Sequence, residues 1–144
     1  MNSVSKTSKI VCSIIVAILI IVGCIFGYLY YDYNQYLDQR DNFSIESIPS
    51  SGSFHLDLPG ITYRHAFITN NTSKIYDYVE VNISCYCGLM RCGYGTVELQ
   101  NVKAYESFMR EPSIRSLNAD RITDCNHSYE VKEYEFFDWL KLRN

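Results

Sequence analysis

The chain reads as a mainly β protein: a single N-terminal transmembrane helix followed by a small antiparallel β-sandwich or barrel ectodomain with disulfides. Three observations predict this. Residues Ile10–Leu29 run without a charge, and at about 1.5 Å rise per residue a helix of that length crosses a hydrocarbon core of about 30 Å. Residues Tyr76–Cys87 alternate apolar and polar with a period of two, as in a half-buried strand. Four cysteines, Cys85, Cys87, Cys92 and Cys125, lie beyond the apolar run, where an oxidising compartment would pair them.

Residues 1–9 form a cytosolic tail. Lys6 and Lys9 precede the run with no acid beside them, whereas Asp32, Asp38 and Asp41 follow it with Arg40 as the lone base. Positive flanks stay in the cytosol, so the N-terminus is expected inside and the C-terminal domain lumenal or extracellular, the arrangement of an uncleaved signal anchor. The alternative, a cleaved signal, has an apolar region of about 7–15 residues closed by an A-x-A-like site, which Val22-Gly23-Cys24 matches poorly. Within residues 10–29, Gly23 and Gly27 form a GxxxG pair, and Ser13 and Ala17 a second small pair. Small residues four apart let two helix backbones approach closely. Cys12 and Cys24 read as small apolar fillers.

Residues 30–53 read as a stalk and linker. Tyr28, Tyr30, Tyr31, Tyr33 and Tyr36 suit the headgroup level or packing on the ectodomain. Tyr30–Arg40 lacks a helix breaker and extends the membrane helix, while Pro49-Ser50-Ser51-Gly52-Ser53 is flexible. The ectodomain, residues 54–144, opens with an alternating strand over Ser53–Leu58, a Pro59-Gly60 turn, and a second strand over Ile61–Thr69 ended by Asn70-Asn71. In the best strand, Tyr76–Cys87, Val79, Val81, Ile83, Cys85 and Cys87 point to the core, and Tyr78, Glu80, Asn82, Ser84 and Tyr86 point to water. Gly88–Gly95 reads as a loop carrying Cys92, Thr96–Val102 as the return strand, and Ala104–Glu111 as a helical turn or two closed by Pro112. Ser113–Asp124 reads as irregular and Tyr129–Phe137 as the last strand, with Trp139 and Leu140 covering its end.

Two bridges among four cysteines allow three connectivities. A Cys85–Cys87 ring is too tight, so Cys87 or Cys92 is expected to pair locally and another of the cluster to reach Cys125. Asn42, Asn70, Asn71, Asn82 and Asn126 each head an N-x-[ST] sequon. Asn42, Asn82 and one of Asn70 and Asn71 read as the better acceptors, with Asn126 crowded by Cys125.

No catalytic constellation, metal site or cofactor site emerges. Cys85-x-Cys87-x4-Cys92 lacks paired zinc-ligand spacing. His55, His65 and His127 carry no hydrolase or metalloprotease signature. Gly88, Gly93 and Gly95 lack phosphate-loop spacing, and Glu130, Glu133 and Glu135 read as a solvated face. A net charge of −3 without a basic patch argues against nucleic acid. The expected partners are a lipid bilayer and another membrane protein or a second copy. The expected function is non-enzymatic: an accessory or structural subunit of a membrane complex, binding through span and ectodomain, with Tyr78 and Tyr86 as ectodomain contacts. The alternatives are a viral envelope subunit and, more remotely, a tethered enzyme.

Overall fold

A computed structural model describes residues 2–49, 61–116 and 122–143. Helix α1 spans Asn2–Leu37. Among the described residues seven strands follow, β1 Phe43–Pro49, β2 Ile61–Asn70, β3 Tyr76–Cys87, β4 Met90–Val102, β5 Ser107–Arg110, β6 Ser113–Ser116 and β7 Asp124–Lys132, and then helix α2, Phe136–Leu142. The chain divides into a helical unit, residues 1–39 with 136–144, and a sheet unit, residues 40–135.

In the helical unit α1 continues through the expected stalk, since nothing in Tyr30–Leu37 breaks it. It is long and apolar enough to cross a membrane over Lys6–Leu37, and its large apolar side chains from Ile10 to Phe26 are all exposed. Past the run the aromatic side chains find partners. Tyr33 packs on Phe136 and Trp139, with centroids 5.3 and 5.4 Å apart, and Tyr36 packs on Trp139 at 6.0 Å. Arg143 pairs with Asp32 and lies over the Trp139 ring. This corrects the expected C-terminus. The last strand stops at Lys132, and Trp139 covers α1 rather than the end of that strand. Phe136, Trp139 and Leu140 follow helical spacing, and Phe136 to Leu142 is a helix.

The sheet unit is one antiparallel sheet of order β1-β2-β6-β4-β3-β7, with β5 also pairing β2. Strand β3 is its spine, paired with β4 from Tyr76↔Val102 and with β7 from Tyr78↔Lys132. The alternation in β3 holds: Val79, Val81, Ile83 and Cys85 are buried against Ala66, Ile68, Leu99, Val102 and Ile114. Cys87 departs from it and is only partly buried, because the register with β4 shifts after Cys85 and leaves Cys92 without an opposite residue. Gly88 has φ of 67°, so the β3–β4 turn needs only Gly88 and Leu89, and the expected Gly88–Gly95 loop is mostly strand. At Gly95 an added Cβ would stand 3.0 Å from Ile114 Cγ1 and 3.1 Å from the Ser113 carbonyl, so glycine lets β6 close on β4.

Three further expectations are revised. Phe43–Pro49 is strand β1 rather than linker, an edge strand that ends at its proline. Ser107–Arg110 is strand β5 rather than helix, its backbone bonds satisfied by β2, and Pro112 separates it from β6. Part of Ser113–Asp124 is ordered, as β6. The expected strand over Ser53–Leu58 and the Pro59-Gly60 turn lie outside the described residues, as does His55.

The sheet nearly closes on itself, because its two outer strands meet. Phe43 of β1 packs against Tyr129 of β7 with tilted rings 5.0 Å apart, and Ser47 of β1 is hydrogen-bonded to His127 of β7. A buried ionic knot stands beside this seam. The Lys74 side chain is fully buried, and its ammonium donates to Asp41 at 3.2 Å and Glu133 at 3.0 Å. Tyr76 donates its hydroxyl to the same Asp41 at 2.9 Å. Asp41 precedes β1, Lys74 precedes β3 and Glu133 follows β7, so one ammonium joins three places where strands begin or end.

Candidate binding surfaces

The disulfides follow from strand register. Cys85 and Cys125 are directly opposite on β3 and β7, and they are bonded. Cys87 is in register with Met90, and Cys92, the residue left without an opposite number by the shift, forms the second bridge with it near the β3–β4 hairpin end. This is the expected division into one local bond and one bond to Cys125. Cys12 and Cys24 on α1 are exposed free thiols.

The apolar helix is one surface on which a partner could lie. A Cβ added at Gly23 or Gly27 would meet nothing within 4 Å, so the GxxxG face is open to a second helix. No charged residue interrupts the exposed run from Ile10 to Leu29.

The outer face of β3, β4 and β7 is polar. Glu80 is opposite Glu98 on one side and Glu130 on the other. Like charges in register are unfavourable in isolation, and local donors offset them. Tyr78 donates to Glu80 Oε2 at 3.1 Å and Asn82 donates to Glu80 Oε1 at 3.1 Å. Desolvation and the Glu80 carboxylate push the Tyr78 hydroxyl up to about 12, so it remains a donor. Tyr78 and Tyr86 are both partly buried on this face and are about 26 Å apart along the strand. The structure therefore does not join them into one patch.

A third feature was invisible in the sequence. Below the β1–β7 seam opens a pocket of about 380 Å³, lined by Ile45, Ser47, Arg64, Asp124 and His127 among others. Arg64 donates from Nη2 to the Ser47 carbonyl at 3.0 Å, but its Nε is buried without a partner. His127 Nε2 is 2.9 Å from Ser47 Oγ. Burial, and then the Arg64 charge, hold His127 below the usual histidine range, with Asp124 opposing. Burial also lowers Arg64. A guanidinium edge of this kind is matched to a planar carboxylate or a phosphate oxygen. A Ser–His contact becomes a nucleophile system when a third group orients the imidazole. Among the described residues His127 makes no such bond to a carboxylate; its contact with Ser47 joins β7 to β1 across the seam. The two residues are far apart in sequence, and nothing local to either marks the pairing.

The sequon asparagines separate clearly. Asn70 is fully buried: its amide donates to the Lys74 and Lys103 carbonyls, and its oxygen accepts from Thr72. A glycan on Asn70 is incompatible with this fold. Asn71, Asn42 and Asn126 are exposed, and Asn126 stands clear of the bridge expected to crowd it. Asn82 is partly buried and accepts from Tyr94 at 2.6 Å and Thr96 at 3.0 Å.

Comparison with protein-family models, curated proteins and solved structures finds no match in any of the three.

Proposed function

We propose that this protein is a single-pass membrane protein with a cytosolic N-terminus, and that it serves as a non-enzymatic subunit of a membrane complex through its span and its disulfide-braced sheet unit. The observation that carries the reading is the exposed apolar surface of α1. Large apolar side chains from Ile10 to Phe26 are uncovered, a cost in water that only lipid or another apolar helix removes. Lys6 and Lys9 ahead of the run support the orientation. The two disulfides fit an oxidising compartment for the sheet unit.

The open GxxxG face makes helix association the recognition step, so the span is more than an anchor. The test is capture of full-length tagged protein from membranes in mild detergent, with quantification of the membrane protein that accompanies it. Gly23→Leu or Gly27→Leu should lower recovery roughly tenfold, about 1.4 kcal/mol, with the sheet unit still folded. Exchange of residues 10–29 for an unrelated apolar helix should act alike. Unchanged recovery after the exchange would make α1 a passive tether and remove the complex-subunit reading.

A further inference from the structure

Helix α2 meets α1 where the apolar run ends. Phe136 lies 5.9 Å from Tyr30 and 5.3 Å from Tyr33, centroid to centroid, and Arg143 pairs with Asp32. Tyr30, Asp32 and Tyr33 directly follow Leu29. At about 1.5 Å per residue, both ends of α2 therefore touch α1 within about 6 Å, along its axis, of the last residue of the run. Phe136, Trp139 and Arg143 are used on α1. The rest of α2 presents Phe137, 68% exposed, and Leu142, 54% exposed, with Lys141 between them in sequence. Tyr28 and Tyr31 of α1, at the same level, are also each 62% exposed.

We infer that α2 is a second membrane contact, a foot whose Phe137 and Leu142 enter the headgroup layer of the leaflet in which α1 ends. The inference rests on α1 crossing the bilayer, as proposed above. Lipid is the occupant because of level. A side chain beside Tyr30, one residue past the apolar run, lies where aromatic residues partition at the interface. Phe137 and Leu142 point about 140° apart around α2, so they enter the headgroup and acyl boundary, about 5–10 Å deep, from two flanks of the helix rather than from one apolar side. The charges suit that position: Asp138 is held by Lys141 at 2.7 Å and Asp32 by Arg143, so neither carboxylate is left unpaired against lipid phosphates. The aromatic stack of Tyr33, Tyr36, Phe136 and Trp139 then fixes the depth of α2, since it ties the foot to a helix that cannot slide through the bilayer.

The test uses the full chain with Cys12→Ser and Cys24→Ser, so that a single added cysteine carries an environment-sensitive fluorophore. The protein is placed in phosphatidylcholine–phosphatidylserine vesicles containing lipids with a quencher near the headgroup or at the chain end. The fluorophore at Phe137→Cys should show an about twofold loss with the shallow quencher, and the one at Ile20→Cys a similar loss with the deep quencher. Leu142→Cys carries the same expectation as Phe137→Cys and replaces it where that variant fails to fold. Deep quenching at position 20 without shallow quenching at position 137 would overturn the foot and leave the span standing. Absence of deep quenching at position 20 would overturn the span reading, and the foot with it.

Discussion

Cys125→Ser is expected to destabilise the sheet unit by about 4 kcal/mol, within the usual 2–5 kcal/mol for a native bridge in a small domain. Cys85 and Cys125 are separated by 40 residues, and the chain-entropy cost of leaving a loop of that size open is of that order. Cys85 is fully buried in the spine strand, and among the described residues β7 is an outer strand laddered along its length to β3 alone. Losing the bond releases the strand that closes the seam. Cys92→Ser opens a separation of only 5 residues, for which the same reasoning gives about 2 kcal/mol. Cys24→Ser on α1 should change nothing measurable in the sheet. Chemical denaturation of the full chain in detergent micelles would rank the three. Equal stability of the Cys125 and Cys24 variants would contradict the assignment.

The second large effect concerns Lys74. Asp41→Asn combined with Glu133→Gln should cost about 3–5 kcal/mol, because it strips both carboxylates from a buried ammonium. Lys74→Met should cost much less. The lysine side chain is 0% exposed, whereas the Asp41 and Glu133 side chains are 31% and 34% exposed, so the acids rehydrate when the cation is replaced but the cation cannot. The asymmetry distinguishes a desolvated charge from a simple attraction. The measurement is the unfolding free energy of the three proteins under one buffer. A Lys74→Met loss larger than that of the double carboxylate variant would refute it.

Parts of this structure were legible in the sequence because their signal is local. Strand β3 shows because Tyr78 to Cys85 alternates without interruption, with Val79, Val81, Ile83 and Cys85 buried; Tyr76, also buried, stands outside that alternation. The apolar helix shows because twenty uncharged residues have few other uses. Elsewhere the deciding force is tertiary. Phe43 and Ile45 are too few to mark β1 beside a proline and a run of serines, and pairing with β2 makes the strand. Ala104 to Glu111 suits a helix by composition, but β2 supplies a ladder that the segment joins. Lys74 and Asn70 look like ordinary loop residues; their burial comes from Asp41, Lys103 and Glu133, all distant in sequence. The α2 helix was readable in the shift from period two to the Phe136, Trp139, Leu140 spacing, and the Glu133-Tyr134-Glu135 alternation just before it masked the change. Of the sites, the cysteines and the GxxxG pair were local patterns. The Arg64, Ser47 and His127 pocket exists only once the sheet curls.

In the proposed topology α1 crosses a membrane with the sheet unit on the non-cytosolic side. Translation of the full chain in the presence of microsomes, with an additional glycosylation acceptor placed ahead of Met1, reads it directly. Endoglycosidase-sensitive addition to the sheet unit is expected, diminished by Asn42→Gln, Asn71→Gln and Asn126→Gln, while the acceptor ahead of Met1 stays bare. A glycan on that acceptor, with none on the sheet unit, would contradict it.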